Sequence, residues 1–152
     1  MSERWTQKFV DLATHLTSWS KDKSTKTSAI IVSDNNSILS IGYNGFPRGV
    51  DDSIADRYER PKKYLYTEHA ERNAIYNAAA HGISTKGTTM YTCWFPCADC
   101  SRGISQAGIK KLVCDRLTEE DMNGRWGDSF RASLEILRES GVEIEYLDEQ
   151  SR

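Results

Sequence analysis

What this chain lacks narrows its chemistry first. No apolar run approaches the length of a membrane span. The opening Met1-Ser2-Glu3-Arg4-Trp5 does not have the basic-then-apolar layout of a secretory signal. A cytoplasmic protein without a membrane partner is the expectation. An excess of one charge is missing too: 20 basic against 22 acidic side chains leave a formal net charge of -2. Proteins that coat nucleic acid usually carry a basic excess, so a duplex partner is not expected, whereas a local basic pocket for one phosphate is compatible. Cysteine is scarce, with only Cys93, Cys97, Cys100 and Cys114. In a reducing compartment a disulfide framework is not expected, and the C-x-x-C pair is left to metal or redox chemistry. Repeats, low-complexity tracts and inter-domain linkers are also missing. Residues 1–152 therefore read as one domain, long enough for a single hydrophobic core.

The hydrophobic pattern alternates between helix and strand periods. Trp5, Phe9, Leu12, Leu16 and Trp19 recur at helical spacing and predict a first helix with these residues facing the core. A polar run, 20–28, leads into a buried strand at Ala29-Ile30-Ile31-Val32. The turn Asp34-Asn35-Asn36-Ser37 returns the chain as an antiparallel strand from Ile38 to Ile41. Gly42-Tyr43-Asn44-Gly45-Phe46-Pro47-Arg48-Gly49 is a turn-rich loop, and 50–66 reads as a surface loop or lid with a short helical turn near 54–58. Thr67 or Glu68 can cap a helix that ends at His81-Gly82, which puts His69 and Glu71 in its first turn. Its Ala70, Ala74 and Ala78 face suits close packing on a sheet. A third strand at 88–92 runs into Pro96-Cys97, with Cys97 near a helix cap, Cys100 in the first turn and Gly108 at the end. A fourth strand spans 110–114, and a helix through Phe130, Leu134 and Leu137 leads to a fifth at 142–146. The helical crossover requires strands four and five to be parallel. The tail from Asp148 is expected to fray.

Two stretches carry the chemistry: His69-Ala70-Glu71 and Pro96-Cys97-Ala98-Asp99-Cys100. His69, Cys97 and Cys100 offer one imidazole nitrogen and two thiolates. Three protein ligands with an open fourth position are the pattern of a catalytic zinc. Two cysteines three apart at a helix start point the same way, and the helix N-terminus favours the thiolate that zinc requires. Glu71 is free to act on whatever fills the open position, as a proton shuttle beside an activated water. Cys93 and Cys114 read as small buried hydrophobes, and His15 and His81 as surface or cap residues.

H-x-E followed by P-C-x-x-C is the known signature of the zinc nucleobase deaminases. Adding the G-Y-N-G-F-P-R-G loop at 42–49, His69-Ala70-Glu71-Arg72-Asn73-Ala74-Ile75 and Gln106-Ala107-Gly108-Ile109-Lys110, residues 20–115 resemble the deoxycytidylate (dCMP) branch of the cytidine deaminase superfamily. The chain departs from the family pattern at Thr27-Ser28, where Val-Gly is usual, and at His81, where arginine is usual. The resemblance implies a three-layer α/β/α sandwich around a five-stranded mixed sheet, and zinc-dependent conversion of dCMP to dUMP. It also implies a homo-oligomer, a hexamer or smaller, activated by dCTP with magnesium and inhibited by dTTP. Residues 50–66 contain neither cysteine nor histidine, so one zinc per chain is expected.

For the substrate, Asn44 is the candidate to hold the sugar or base edge, and Trp94 or Phe95 to pack on the ring. Lys26, Arg48 and Arg125, the last with Trp126 beside it, are candidates for the 5′-phosphate. Three alternatives stay open at this level. One is deamination of another free pyrimidine: dCTP, a 5-modified dCMP, or the unphosphorylated nucleoside. A second is a thioredoxin-like redox pair. The third is a non-enzymatic structural zinc module closed by Cys93.

Overall fold

The computed structural model describes residues 3–147; the tail from Asp148, expected to fray, lies outside the described residues. The strands are β1 (Ser28–Val32), β2 (Ile38–Tyr43), β3 (Thr89–Thr92), β4 (Lys111–Cys114) and β5 (Glu143–Tyr146). They form one sheet in the order β2-β1-β3-β4-β5. β1 is antiparallel to both its neighbours, while β3–β4 and β4–β5 are parallel, as the helical crossovers require.

The helices are α1 (Glu3–Leu16), α2 (Lys63–Tyr66), α3 (Ala70–Ala80), α4 (Ala98–Gln106), α5 (Glu119–Asn123) and α6 (Gly127–Glu139). Two hydrophobic clusters divide them into layers. On one face Phe9, Val10, Ala13 and Leu16 of α1 pack against Ile30, Val32, Tyr91 and Val113. On the other, Ala70 and Ala74 of α3, Ile104 of α4 and Leu137 of α6 pack against Ala29, Ile31, Met90 and Leu112. β1 sends alternate side chains into both clusters, which is why its sequence is continuously apolar. The result is the expected three-layer α/β/α sandwich around a five-stranded mixed sheet. Among the described residues no helix is long and apolar enough to cross a membrane.

The first helix is shorter than its aromatic stripe. It gives way to a 3-10 turn at Thr17–Trp19, and the tighter winding carries Trp19 out to half-exposure, edge-on to Tyr43. Trp5, in the opening turn, stacks on Phe9 and stays partly exposed. The buried stripe is therefore Phe9, Val10, Ala13 and Leu16. The predicted turn near 54–58 is present as Ala55–Tyr58. α5, in the polar stretch between β4 and α6, starts on a capping box in which Thr118 and Asp121 bond each other's backbone amides.

The small face of α3 does what its alanines predict. Gly42 in β2 lies under it so closely that a Cβ there would be 2.3 Å from both the Ala70 carbonyl oxygen and the Ala74 amide. Ser40 Oγ donates to the Ala74 carbonyl at 2.7 Å. Asn73 and Asn77 donate side-chain amides to the Tyr43 and Ile41 carbonyls. α3 is thereby laced to the edge strand at fixed height and rotation, and its N-terminus is aimed with it.

Candidate active site

His69 is the N-cap of α3, with extended backbone (φ -78°, ψ 152°), and not a first-turn residue as the sequence predicts. The reason is tertiary. Gly45 and Glu68 exchange backbone hydrogen bonds (3.1 and 2.8 Å) as an isolated bridge, so the chain is still extended at 68 and helix begins only at Ala70. Neither Thr67 nor Glu68 can then serve as the cap. Glu68 instead accepts from the His69 amide at 3.0 Å and from Arg72 at 2.6 Å. Glu71, within the first turn, remains as predicted.

Cys97 is the N-cap of α4 and Cys100 lies in its first turn. α6 holds this corner from outside. Ser129 Oγ accepts from the Ala98 amide at 2.9 Å, and Ser133 Oγ donates to the Pro96 carbonyl at 2.9 Å. Two helix N-termini from different crossovers thus meet. His69 Nδ1 lies 3.4 Å from Cys97 Sγ and 3.5 Å from Cys100 Sγ, and the three ligating atoms all fall within 4.8 Å of one another. Tetrahedral zinc with bonds of about 2.3 Å to sulfur and 2.0–2.1 Å to nitrogen would set sulfur and nitrogen about 3.6 Å apart. One imidazole nitrogen and two sulfurs at these separations fit that ion. Cys93, half-buried with its sulfur 3.4 Å from Ser28 Oγ, is not part of the group, and Cys114 is buried in the core.

The protonation of the cluster follows from its contacts. Cys97 is lowered to about 4, chiefly by the hydrogen bond from the Cys100 thiol and further by His69. The same bond, together with burial, pushes the Cys100 thiol up. His69 is raised, first by its hydrogen bond with Cys97. Glu71 is 5 % exposed, its carboxylate raised by burial, and one oxygen lies 3.5 Å from Cys100 Sγ.

Above the cluster opens a cleft of about 350 Å³, lined on its floor by His69, Glu71 and Cys97. Of the residues proposed from sequence for substrate, Asn44, Trp94, Phe95, Arg125 and Trp126 line it; Lys26 and Arg48 do not. Lys26 turns back to donate to the Ser20 carbonyl, and Arg48 donates to Asn77 of α3. Their loops do reach the cleft, through Thr25 and Thr27 either side of Lys26 and through Asn44 before Arg48, but these two side chains are turned to other partners. Asn44 is buried and committed: its Oδ1 accepts from the Thr27 amide at 2.9 Å and its Nδ2 donates to the Thr25 carbonyl at 2.8 Å. Phe95 is buried edge-on against Phe130, while Trp94 is half-exposed.

The lid supplies what sequence did not single out. Arg60, Lys63 and Tyr64 line the cleft. Arg60 Nε donates to the Tyr64 hydroxyl at 2.9 Å. Arg125 lies over the rings of Tyr64 (5.9 Å) and Trp126 (5.3 Å), and these two rings meet edge-on at 6.3 Å. No sequence signal linked Arg60 and Tyr64: Arg60 precedes Pro61 and lies outside α2, so its four-residue spacing from Tyr64 is not a helical pairing. Among the described residues the other cleft cations are neutralised: Lys63 by Asp22 at 3.0 Å, Arg72 by Glu68 at 2.6 Å and Asp99 at 3.6 Å. Arg60 and Arg125 have no carboxylate partner among them.

A family model described as the cytidine and deoxycytidylate deaminase zinc-binding region matches residues 3–115. An uncharacterised deaminase of Aliivibrio fischeri is 42% identical over 147 residues, covering 97% of this chain and 96% of that one. Human deoxycytidylate deaminase is 38% identical over 138 residues, covering 88% and 72%. The crystal structure of a dCMP deaminase from the cyanophage S-TIM5, in complex with dCMP and dUMP, superposes with a TM-score of 0.78 at 30% identity, covering 97% and 99%. With its zinc-site geometry, its sheet order and its sequence in agreement, the chain belongs to the cytidine and deoxycytidylate deaminase family.

Proposed function

We propose that this protein is a zinc-dependent hydrolase that converts dCMP to dUMP and ammonia. The observation that carries the reading is the distribution of unpaired charge in the cleft. Among the described residues Glu71 is the cleft carboxylate without an ion-pair partner and lies beside the three donors, and Arg60 and Arg125 are the cleft guanidiniums without a carboxylate partner and lie at the lid end. A substrate with a neutral base at one end and one phosphate at the other matches that layout. Two cations suit a phosphomonoester better than the longer anionic chain of a triphosphate.

In this reading His69, Cys97 and Cys100 hold one zinc, which supplies a water acidic enough to react near pH 7 (about 7 for the bound water). Glu71 moves the protons. It takes one from the attacking water and places it on ring N3 as the oxygen bonds to C4. It then takes the proton left on that oxygen and passes it to the exocyclic nitrogen, which departs as ammonia while C4 keeps a carbonyl. Trp94 walls the cleft, and Asn44 shapes it by holding Thr25 and Thr27 in place. A closed structural zinc is disfavoured because Cys93 stands outside the donor group.

The same proposal takes in a cytoplasmic location, supported by the reduced cysteines that the site requires. It takes in a homo-oligomer, supported by exposed Trp19, Tyr43 and Tyr76. Effector control by dCTP with magnesium, and by dTTP, rests on the family resemblance. The test is deamination by zinc-loaded protein of dCMP, deoxycytidine, dCTP and 5-methyl-dCMP, with and without the effectors. A kcat/KM for dCMP above that for deoxycytidine by about 100-fold or more is expected if both guanidiniums bind the phosphate. Equal rates on the two would overturn the nucleotide reading.

A further inference from the structure

One buried ion pair in this molecule has no part in the chemistry just described. Lys63 and Asp22 are 5 % and 3 % exposed and lie 3.0 Å apart. Among the described ion pairs it is the one with both side chains buried. Lys63 opens α2 in the lid; Asp22 belongs to the loop before β1. Oδ1 of Asp22 accepts from the Ser24 and Thr25 amides, both at 2.9 Å, and from Ser24 Oγ at 3.1 Å, and Oδ2 meets Lys63, so the pair together is saturated. Lys63 also donates to Ser24 Oγ at 2.8 Å.

Stability alone is a poor reason for such a pair. Desolvation of two charges cancels most of their attraction, and an apolar pair of similar volume is often as stable. What a saturated buried pair does supply is a defined register between the segments it joins. Here the segments are the two sides of the cleft mouth. On one side Asn44 ties Thr25 and Thr27 to the end of β2, and Asp22 organises the turn before them. On the other, Lys63 lies next to Tyr64 and three residues after Arg60. The lid's other ion pair to that loop, Lys21–Asp52, is largely exposed and screened by solvent.

We propose that Lys63 and Asp22 form a positioning pair that sets Arg60 and Tyr64 opposite Arg125, and so determines how well the enzyme selects a 5′-phosphorylated substrate. This rests on the nucleotide reading above. Lys63 touches no reacting atom; it acts through Arg60 and Tyr64.

The experiment compares zinc-loaded wild type with Lys63→Met, Asp22→Asn, Arg60→Gln and the double variant Arg60→Gln/Lys63→Met. Steady-state kinetics on dCMP and deoxycytidine are paired with hydrogen exchange of residues 59–66. Lys63→Met is expected to raise KM for dCMP by about tenfold or more, with kcat moving by less than about threefold. For deoxycytidine, kcat/KM should move by less than about threefold. The double variant should be no worse than the poorer single, because Lys63 works through Arg60. Exchange across 59–66 should accelerate while β1 and β3 keep their protection. Equal losses on the two substrates, or fully additive losses in the double variant, would overturn the proposal. Wild type that treats dCMP and deoxycytidine alike would overturn the nucleotide reading. Exchange then decides the positioning role by itself: acceleration confined to 59–66 supports it, and unaltered exchange overturns it.

Discussion

The floor and the mouth of the cleft are built by different means. At the floor, His69 and Cys97 are the N-caps, and Glu71 and Cys100 first-turn residues, of two helices whose backbones are pinned to the sheet and to α6. Each side chain there inherits its aim from a rigid element a few residues long. At the mouth, Arg60 and Tyr64, before and within the one-turn helix α2, meet Arg125 and Trp126 from a segment more than 60 residues further on, through ring contacts, one hydroxyl and one buried ion pair. Under the proposed function, the floor carries the reaction and the mouth selects the molecule that reaches it.

Substitutions should separate the two. The largest effect is at the floor: Glu71→Gln should lower kcat by about 10²–10⁴-fold on every substrate, because proton transfer is lost. Zinc content, read by metal analysis, should hold at the wild-type level. A variant that loses its zinc as well would break the distinction between ligand and shuttle. At the mouth, Arg125→Gln should lower kcat/KM for dCMP by about 10- to 100-fold, from the ~1.5–3 kcal/mol of a hydrogen bond to a charged group. The fall for deoxycytidine should be far smaller, and parallel losses on both would move Arg125 from phosphate recognition to scaffolding.

Gly42→Ala tests the floor's rigidity without touching its chemistry. A Cβ at 2.3 Å from the α3 backbone cannot be absorbed by a side chain. Unfolding in urea should show a loss of about 1–3 kcal/mol from overpacking. The smallest effect concerns acid. Burial raises Asp22, but hydrogen bonds from Thr25, Lys63 and Ser24 prevail and hold it below its ordinary 3.8. A lowered folded pKa stabilises above the unfolded value and loses that contribution as pH falls through the folded one. The stability gap between wild type and Asp22→Asn should therefore be constant above about pH 5, shrink below 3.8 and vanish at lower pH. A gap that widens in acid would contradict the contacts around Asp22.

The same contrast explains what could be read from sequence. Zinc chemistry demands particular residue types at short spacings, so the four residues that the structure brings together at the floor could be picked out of the sequence, as could the parallel β4–β5 pair and the alanine face of α3. The placement of His69 was not, because the bridge from Glu68 to Gly45 overrides a local capping signal 23 residues away. Lys26 and Arg48 were attractive as charges in loops that do reach the cleft, yet which side chains of a loop face inward is a tertiary property, and these two bond elsewhere. Arg60 and Tyr64 carry no motif at all; their place depends on where Lys63 anchors. Helix α5 had its signal in Thr118 and Asp121, a capping box inside a run too polar to suggest a helix.

The reciprocal hydrogen bonds between Gly45 and Glu68 close the excursion from Phe46 to Thr67 at its base. A segment stapled at both ends behaves as a cassette. Its length enters the free energy only through loop closure, about 0.6 kcal/mol for each doubling. Insertions and replacements between the staples therefore leave His69, one residue beyond the clasp, where it was. Substrate range in such a fold is free to diversify by exchange of this one loop, while the hydrolytic machinery is inherited unaltered.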